Sequence, residues 1–570
     1  MFFISGALYY TANGDSFRYI VTAALPYVNN VPHLGHLIST LLPADVYSRF
    51  LKLQGNEVVY ICGTDEYGTT TEIAALKQGI TPKELTDKYY AIDREAFDRM
   101  DCKPDIFSRT SDPAHTRLVQ SFYESVKKNG YSYKKNIEQL YCDRDQRFLP
   151  DRFVEGTCPH CGFEQAKGDQ CESCGKVLRP TELIKPRCTI CGTTPHVRKE
   201  EHVFFALSKL QDKLYKFVGA QTHWFPSSRN FALSWIKEGL EDIDIQRDIK
   251  WGVPIPEAGS TGVFYSWFDA PLGYVTFTEQ LGKGSWWHDS KTRLVHFIGK
   301  DNIAFHTMFF PGMLIAAGDN YVLPWMVASY EFLNWEGGEK FSKSRGVGLT
   351  VPDANQLYPA DYWRYYLLSI LTEKKDANFS WEDFQAKINT ELNDTLGNFL
   401  QRTLVFTQNS FGGKVPTPGE LTAADKSALL AIDTAFEKVS KHLGDIELKS
   451  ALEEVMGLAR TGNQYLQAEA PWKNKERSNT IIYVSLNVAS ALSVLLAPFL
   501  PSTSEKMRGY LGAKPVRDWE DAKERVKAGR AIGKPEPLFK KIEAKEIAEY
   551  RKKYAGVPEA KAEKKKPEKK

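Results

Sequence analysis

The strongest constraint on the fold is a strand–helix–strand unit close to the start of the chain. The run RYIVTAAL (18–25) predicts a short buried strand, and HLGHLISTLLPADVYSRFLKLQG (33–55) predicts a helix that stops at its final glycine. NEVVYICGTD (56–65) predicts the next strand. Two strands joined by one helix within about 45 residues form a parallel unit of the dinucleotide-fold type. LVHFIGKDN (294–302), followed by the apolar helix FHTMFFPGMLIAAG (305–318), predicts the other half of this Rossmann-type α/β sheet.

Other segments indicate a division into several domains. Seven of the nine cysteines lie between positions 142 and 191, in an insertion between the halves of the sheet. From about 388 onward, apolar residues recur at three- and four-residue intervals, which predicts a C-terminal all-α bundle. The final EAKAEKKKPEKK is of low complexity and predicts disorder. We expect these domains: 1–17 (N-terminal extension), 18–130 (first half of the α/β domain), 131–245 (insertion), 246–325 (second half), 326–387 (a region with the loop EGGEKFSKSRG), 388–545 (helical domain) and 546–570 (charged tail).

The composition excludes several classes of protein. The formal charge of +3 results from 74 Lys and Arg against 71 Asp and Glu, so any nucleic-acid surface must be a local patch. No apolar run approaches the roughly 20 residues that span a bilayer, and the apolar start MFFISGALYY lacks a basic leader and a cleavage site. We therefore expect a cytoplasmic protein without a membrane segment. In such a chain, clustered C-x-x-C pairs predict metal binding rather than disulfides.

Two short motifs carry the candidate chemistry. In PYVNNVPHLGH (26–36) a loop leads into a helix, so that His33 and His36 lie on one side of its first turn. Gly35 lets a phosphate or base approach the backbone, and the helix start attracts anions. The second motif is a glycine-flanked loop in which Lys340 and Lys343 could close over a triphosphate. Each motif alone also has a non-functional interpretation, because histidine pairs are often structural and most basic loops are only exposed to solvent.

HLGH and KFSKS, in this order, resemble the two signature motifs of class I aminoacyl-tRNA synthetases. The resemblance implies that an amino-acid carboxylate attacks the α-phosphate of ATP, with Mg²⁺ on the phosphates. In the implied catalytic set, His33 and His36 contact the phosphates, and Lys340 and Lys343 stabilise the leaving pyrophosphate. Phe341 replaces the usual methionine at a position that packs. The implied ATP site comprises His33, Gly35, His36, Gly299, Asp301, Lys340, Ser342, Lys343 and Ser344.

Further segments, within about 18–545, are similar to the methionine branch of that class. They are AALPYVNN near the start, FYSWFDAPLGY at 264–274 and HFIGKDNIAFH at 296–306. The resemblance implies that Asp65 binds the substrate ammonium, with Arg247 as a neighbour. An aromatic-walled pocket with a hydroxyl or imidazole near sulfur suits a thioether. The implied methionine site comprises Leu25, Tyr27, Asp65, Trp267, Ala270, Pro271, Tyr274 and His306, and the expected substrates are methionine, ATP and tRNA(Met).

The cysteine pattern of the insertion predicts structural zinc. Four thiolates spaced C-x2-C-x9-C-x2-C can surround Zn²⁺ tetrahedrally and leave no open position for catalysis. Relatives with two zinc knuckles imply a second site, in which an aspartate takes one of the cysteine places. The first set is Cys158, Cys161, Cys171 and Cys174, and the second is Cys142, Asp145, Cys188 and Cys191.

The helical domain carries candidates for anticodon recognition. Asn398 and Arg402 are four residues apart and share one helix face, while Trp472 begins another helical region. An indole with amide and guanidinium donors can stack on unpaired bases and form hydrogen bonds with them. The three positions match the anticodon positions of the methionine branch. Because the chain ends soon after the bundle, we expect a monomer, with tRNA capture aided by a separate tRNA-binding protein.

Three other functions compete with this interpretation. A class I synthetase for leucine or valine would usually carry a much longer insertion than the 110 to 120 residues or so found here. A non-catalytic zinc protein that merely binds tRNA would not need His33, His36, Lys340 and Lys343 together. A simpler nucleotidyltransferase would leave the helical half of the chain unexplained.

Overall fold

The computed structural model describes residues 17–168, 171, 173–174, 176, 178–257, 262–341 and 346–556. The predicted loop residues Ser342, Lys343 and Ser344 lie outside the described residues. The same is true of positions 1–16 of the expected N-terminal extension and of positions 557–570 of the expected tail.

The α/β part of the chain is built on one parallel sheet. From one edge of the sheet to the other, its five strands are Pro324–Tyr330 (β5), Thr292–Gly299 (β4), Arg18–Ala23 (β1), Glu57–Thr64 (β2) and Ile106–Arg109 (β3). The central strand β1 pairs in parallel with β2 and β4, and every residue of β4 is buried. Continuous apolar runs suit such strands, because both faces of a parallel sheet are covered. The predicted α/β fold is confirmed.

Helices connect and cover these strands. The helical stretches after β1 and after β4 both contain a π-helical segment, Leu37–Leu41 and Phe305–Phe309. Such segments are frequent at functional sites. The α-helices of this part are Leu34–His36, Leu42–Leu53, Thr69–Gln78, Pro82–Arg99, Pro113–Lys128, Ser266–Asp269, Gly273–Gln280 and Phe310–Ala317, with 3₁₀ turns at Ala270–Leu272, Gly284–His288 and Lys300–Asn302.

The insertion is a long two-stranded arm with the cysteines at its far end. Ser132–Cys142 and His196–Phe205 pair antiparallel, from Ser132↔Phe205 to Tyr141↔His196. Between them lie the short strands Arg147–Phe148, Val154–Thr157, Ala166–Lys167 and Ile184–Cys188 and the 3₁₀ turns Asp151–Phe153 and Pro180–Glu182. The chain returns through Leu207–Leu210, the helices Gln211–Ala220 and Pro226–Glu238, and the strands Ile243–Asp244, Gln246–Arg247 and Val263–Phe264.

The rest of the described chain is mainly helical, as predicted. One helix, Ser478–Leu495, is long and apolar enough to cross a membrane, but 83% of it is buried inside the protein, which is typical of a core helix. The elements are the strands Leu333–Asn334 and Ala377–Asn378, the 3₁₀ turns Glu336–Gly338 and Trp519–Lys523, the π-helix Ile388–Gly397 and the α-helices Val351–Leu357, Ala360–Ser369, Trp381–Lys387, Asn398–Phe411, Ala423–Gly444, Leu448–Glu469, Ser478–Leu495, Pro501–Tyr510 and Ala544–Tyr554.

Two expected domain boundaries are wrong. The boundary at 325/326 cuts through β5, which pairs with β4 and therefore belongs to the sheet. The charged tail was expected from 546, but Ala544–Tyr554 is an amphipathic helix that buries Ile547 and Tyr554. This helix packs near the signature loop, since Gly348 donates its N–H to the Tyr554 carbonyl (3.3 Å). Burial of two apolar side chains outweighs the disorder that the charge pattern suggests.

Candidate active site, metal centres and anticodon surface

The predicted ligand-binding residues follow the C-terminal ends of neighbouring strands. In open parallel sheets, ligands bind at the point where the chain leaves adjacent strands toward opposite sides. Here β1 leads toward β2, while β4 leads to β5 on the other side. The loop after β1 carries His33, and β4 ends at Gly299. The sheet topology thus directs both halves of the expected nucleotide site to one crevice.

The two histidines form the N-terminal cap of the helix after β1. His33 Nδ1 accepts from the Gly35 N–H (3.0 Å), and the His33 N–H donates to His36 Nδ1 (3.2 Å). Because both Nδ1 atoms accept, the proton of each neutral ring lies on Nε2, which is the form that donates. A Cβ on Gly35 would lie 2.8 Å from Cε1 of His33. The glycine therefore makes room for the His33 ring, a role that no local sequence pattern indicates.

The start of the signature loop lies against these histidines. Phe341 stacks on His33, with 4.4 Å between ring centroids and 4° between planes. Beyond the loop, Leu34 donates its N–H to the Leu349 carbonyl (3.4 Å), and Val351 donates to the Pro32 carbonyl (2.8 Å). Lys340, next to Phe341, is exposed. The two distant motifs thus meet through Phe341, while Lys343 lies outside the described residues.

The end of β4 supplies a second wall of the crevice. A Cβ on Gly299 would lie 2.7 Å from Asp301 Oδ1 and 3.8 Å from Ser39 Oγ. Ser39 belongs to the π-helical segment after His36. The Asp301 side chain therefore turns back over Gly299 beside the helix that the histidines cap.

A buried aromatic cluster contains two of the predicted methionine-site residues. The Tyr274 hydroxyl lies 2.9 Å from His306 Nε2, and His306 Nδ1 lies 3.0 Å from the Asn302 carbonyl oxygen. The carbonyl fixes the ring proton on Nδ1, so Nε2 accepts from the hydroxyl. Burial lowers the pKa of His306 to about 4, so the ring is neutral near neutral pH. His296, on β4, lies 5.0 Å from His306 between ring centroids.

The remaining residues of the predicted methionine site lie in the loop after β1 and around the helix Ser266–Asp269. Trp267 stacks on Phe305, with 5° between the ring planes. Ala270 and Pro271 are buried in the turn before Tyr274. The Cβ that Gly273 lacks would lie 3.1 Å from Leu25 Cδ1, so the loop after β1 reaches this turn. Tyr27, by contrast, is 41% exposed.

Asp65 lies beside Tyr27 through backbone pairing. Asp65 donates its N–H to the Pro26 carbonyl (2.9 Å), and its own carbonyl accepts from Val28 (3.3 Å). Arg247, expected as a neighbour of Asp65, is held by the insertion: its Nε donates to Asp151 Oδ2 at 2.9 Å. Its guanidinium also lies over the Tyr265 ring, at 4.1 Å. The structure therefore gives Arg247 a structural partner of its own.

The first cysteine set has the geometry of a tetrahedral site. Cys158 Sγ lies 3.9 Å from Cys174 Sγ, and Cys161 Sγ lies 3.6 Å from Cys171 Sγ. Four sulfurs around Zn²⁺ at about 2.3 Å are separated by about 3.8 Å. The first pair is held by a tight turn in which the Gly162 N–H donates to the Cys158 carbonyl (3.0 Å). These four thiols could hold one metal ion.

The second set is assembled in the same way. The Gly192 N–H donates to the Cys188 carbonyl (2.9 Å), which repeats the turn of the first set. Cys142 Sγ lies 3.4 Å from Cys191 Sγ, and Asp145 Oδ2 lies 3.0 Å from Cys188 Sγ. All four ligand atoms lie within 4.8 Å of one another. Aspartate is a suitable oxygen ligand for zinc, so this set could also hold a metal ion.

The anticodon candidates form one exposed surface on the helical domain. The Arg402 guanidinium lies over the Trp472 ring at 4.7 Å and donates to Gln467 Oε1 at 2.9 Å. Trp472 is 39% exposed, beside a cavity of about 490 Å³. Asn398 begins the same helix as Arg402 and contacts Asp394. Asn398 and Arg402 thus lie on one helix, and the Trp472 indole contacts Arg402.

Sequence reasoning missed four residues of these sites. His296 and Phe305 lie in the quoted segment HFIGKDNIAFH, but apolar neighbours made both look like ordinary core. Thr22 Oγ1 lies 2.6 Å from His296 Nδ1 across β1 and β4, a contact that only the sheet register creates. Gln467 lies on a different helix from Arg402, and no local pattern marked it.

The sheet, the histidine cap and the helical domain together define a nucleotide-activating α/β enzyme with an RNA-reading module. The family model of class I (M) tRNA synthetases matches residues 19–404, and that of the anticodon-binding domain of methionyl tRNA ligase matches residues 415–559. The chain therefore belongs to the methionine family of class I tRNA synthetases, as the motifs predicted.

Individual relatives agree with this assignment. The methionine–tRNA ligase of Thermofilum pendens is 42% identical over 549 residues, which are 94% of this chain and 97% of that protein. The Pyrococcus furiosus enzyme of the same name is also 42% identical, over 95% of this chain and 77% of that protein. A crystal structure of methionyl-tRNA synthetase from Mycobacterium tuberculosis, bound by methionyl-adenylate, superposes with a TM-score of 0.77 at 28% identity and covers 92% of this chain and 100% of that one.

Proposed function

We propose that this chain works as an ATP-dependent methionine–tRNA ligase in the cytoplasm, supporting translation initiation and elongation. It activates methionine to methionyl-adenylate and transfers the methionyl group to the 3′-terminal adenosine of tRNA(Met). The observation that carries the proposal is the stacking of Phe341 on His33, because it brings the loop with Lys340 to the helix cap with His36. The match of both family models over the catalytic and anticodon parts supports it.

The site performs the first step by positioning and charge stabilisation. The methionine carboxylate attacks the α-phosphate in line, and pyrophosphate leaves with Mg²⁺. His33 and His36 donate from Nε2 toward the phosphates, because their Nδ1 atoms already accept backbone N–H groups. Lys340 and Lys343 balance the charge that develops on the leaving group. Gly299 and Asp301 hold the adenosine ribose at the end of β4.

The methionine side chain enters the cluster around Tyr274 and His306. Neutral His306 and the Tyr274 hydroxyl give the pocket a polar point near sulfur, and Trp267 supplies an aromatic wall. Leu25, Tyr27, Ala270 and Pro271 complete the lining, and Asp65 receives the α-ammonium.

An amino-acid-dependent pyrophosphate–ATP exchange assay tests this proposal. We expect exchange with methionine and none with leucine or valine. Exchange with leucine or valine but not methionine would contradict the substrate, and no exchange with any amino acid would favour a non-catalytic RNA-binding role.

The helical domain reads the anticodon, and the insertion guides the acceptor end. Trp472 stacks on an anticodon base, while Asn398 and Arg402 donate to base edges. The protein acts as a monomer, and a separate tRNA-binding protein assists capture. The terminal ribose 2′-OH then attacks the adenylate carbonyl.

Each cysteine set of the insertion holds one structural Zn²⁺. We expect two zinc ions per chain in elemental analysis of the purified protein. Cys161→Ser should remove one of them and lower the melting temperature, because a zinc site contributes its binding free energy to folding. Ser173→Ala, a change between two ligands that removes no thiol, should retain both. A content of one zinc in the wild type that falls to none in Cys161→Ser would show that the set with Asp145 does not bind the metal.

A further inference from the structure

Two buried carboxylates, Asp65 and Asp269, lie close enough for the charge of one to act on the other, beside the predicted methionine site. Asp269 ends the helix Ser266–Asp269, between Trp267 and Ala270, and is fully buried. Asp65 follows β2 and is 4% exposed. Within the described part of the chain, three of their oxygens accept no hydrogen bond: both carboxylate oxygens of Asp269 and Oδ1 of Asp65. Buried polar groups are nearly always satisfied, so these three atoms call for a partner.

No cation of the described chain neutralises this pair. Among the described residues, the one basic side chain within 4 Å of the Asp269 carboxylate is His115, whose Nε2 lies 3.6 Å from Oδ2. Burial lowers the pKa of His115 to about 3, so that this ring is neutral and supplies no charge. Glu66, the neighbour of Asp65, is already paired with Arg109 (2.9 Å).

The other titratable groups near the pair are two phenols and an aspartate that caps a helix. Tyr67 donates its backbone N–H toward Asp65, and its hydroxyl interacts with Thr116. The Tyr27 phenol lies close enough to Asp65 for the carboxylate charge to act on it. Asp112, the cap of the helix that carries His115, accepts from the Ala114 N–H (2.7 Å). A positive charge for the two carboxylates must therefore come from a ligand.

Two buried carboxylates side by side cannot both stay ionised without a cation. Burial first, and then the charge of Asp269, raise the pKa of Asp65 well above its usual range. Burial likewise raises the pKa of Asp269. In the ligand-free protein, loss of the last proton from the pair is therefore disfavoured, as in other close carboxyl pairs.

We propose that Asp65 and Asp269 share one proton in the free protein and lose it to solvent when the α-ammonium group of methionine binds. The ammonium then supplies the missing positive charge and donates to the unsatisfied oxygen of Asp65. Asp269 is a positioning residue: it acts on the substrate through Asp65, whose charge state it sets. The only bond that breaks in this step is the O–H bond of the carboxyl group, whose electron pair stays on oxygen while the proton goes to solvent. The proposal rests on the proposed methionine-activating function.

Calorimetric titration of the wild-type protein with methionine tests the proton release without any variant. The titration is run at about pH 7 in two buffers with different ionisation enthalpies, since released protons add the buffer's own heat. We expect the apparent enthalpy to change with the buffer as required for release of about one proton per methionine. Equal enthalpies in both buffers would overturn the proposal. Because methionine binding itself is observed in either case, this outcome differs from a failure of the proposed function.

The variant Asp269→Asn tests the role of the second carboxylate. Without the neighbouring charge, the pKa of Asp65 falls, so the acid-side rise of the methionine KM should move by about one pH unit to lower pH in pyrophosphate exchange between about pH 5 and pH 8. The KM for ATP should not change. Asp361→Asn, which removes a buried carboxylate that accepts from the Thr503 N–H in the helical part, should leave the methionine profile in place. An unshifted profile in Asp269→Asn would contradict the proposal.

Discussion

At the scale of single residues, the geometry of the proposed nucleotide site depends on Gly35, which has no side chain. The His33 ring folds back over Gly35 and accepts its N–H, and this position lets Phe341 stack on the outer ring face. A Cβ at position 35 would lie within 2.9 Å of two atoms of the His33 ring, which is closer than non-bonded carbon and nitrogen atoms approach each other. The helix cap, the imidazole and the signature loop are therefore coupled through one glycine.

We predict that Gly35→Ala displaces the His33 ring and lowers kcat of pyrophosphate exchange at least about tenfold, which corresponds to about 1.4 kcal/mol of lost transition-state stabilisation. The methionine KM should change less than kcat, because Leu25 and Tyr27 precede the helix cap on this loop and the other residues of the predicted methionine site lie on separate elements. Steady-state exchange kinetics measure both values.

Gly219→Ala is the matched control for this change. Gly219 is also helical, and a Cβ there would meet nothing within 4 Å. It should retain full exchange activity and be slightly stabilised, since alanine favours a helix over glycine by roughly 1 kcal/mol. Equal activity of both variants would show that the ring position does not matter.

At the scale of elements, a buried histidine ties the insertion to the α/β domain. His202, on the returning strand of the arm, lies 2.9 Å from Asp244 and 3.0 Å from Asp248 on the chain that leads back to the sheet. Gln139 on the paired strand lies 2.7 Å from its Nε2. Although burial opposes the charge, these carboxylates and Glu200 raise the pKa of His202 to about 11. The ring is therefore an imidazolium that holds two elements together.

This charge predicts a loss of stability in alkali. The folded pKa lies above the unfolded value of about 6.5, so the contribution is complete below about pH 6.5 and is lost as pH rises toward the folded pKa. Between about pH 7 and pH 9 we expect the free energy of unfolding to fall by up to about 3 kcal/mol. Scanning calorimetry at these pH values measures the change.

His202→Gln should be less stable at neutral pH and should lack most of this pH dependence. His160→Gln, at an exposed histidine of the same insertion, should behave like the wild type. A wild-type slope that persists in His202→Gln would assign the alkaline loss to other groups.

At the scale of the whole molecule, the proposed catalytic site and the proposed anticodon surface lie on different domains. The Phe341–His33 contact belongs to the α/β part, whereas Arg402 and Trp472 belong to the helical part. The C-terminal helix Ala544–Tyr554 bridges the two: Arg551 donates to Glu336 beside the signature loop (2.8 Å). Activation and tRNA recognition can therefore be separated by mutation.

We predict that Trp472→Ala weakens aminoacylation but spares adenylate formation. Loss of one stacked base costs about 1–3 kcal/mol, so kcat/KM for tRNA charging should fall by roughly 10- to 100-fold. Pyrophosphate exchange without tRNA should be unchanged.

Leu430→Ala, at an apolar side chain that is 63% exposed on the helix Ala423–Gly444 of the same domain, provides the control and should charge tRNA normally. An equal loss of both steps in Trp472→Ala would argue for a purely structural indole.

Much of the architecture could be predicted from local patterns. Periodicity located three of the five sheet strands, β1, β2 and β4, and the cysteine spacing located the first metal-ligand set, while the second was implied by the resemblance to relatives with two zinc knuckles. The run VASYEFLNW (327–335) also has the pattern of a strand, but no local feature indicates that it completes the sheet as β5. The helix that ends at Tyr554 was missed because its charged residues hide two buried apolar positions.

The sequence by itself determined which residue types stand at the ends of strands and in the knuckles, because spacing and side-chain chemistry are local properties. Only the tertiary structure decided that Phe341 covers His33, that His296 faces Thr22, and that Asp269 lies unneutralised beside Asp65. These contacts join residues far apart in the chain, and their geometry follows from strand order, register and packing. Burial then sets the charge of each group, since the cost of an ion depends on what surrounds it in space.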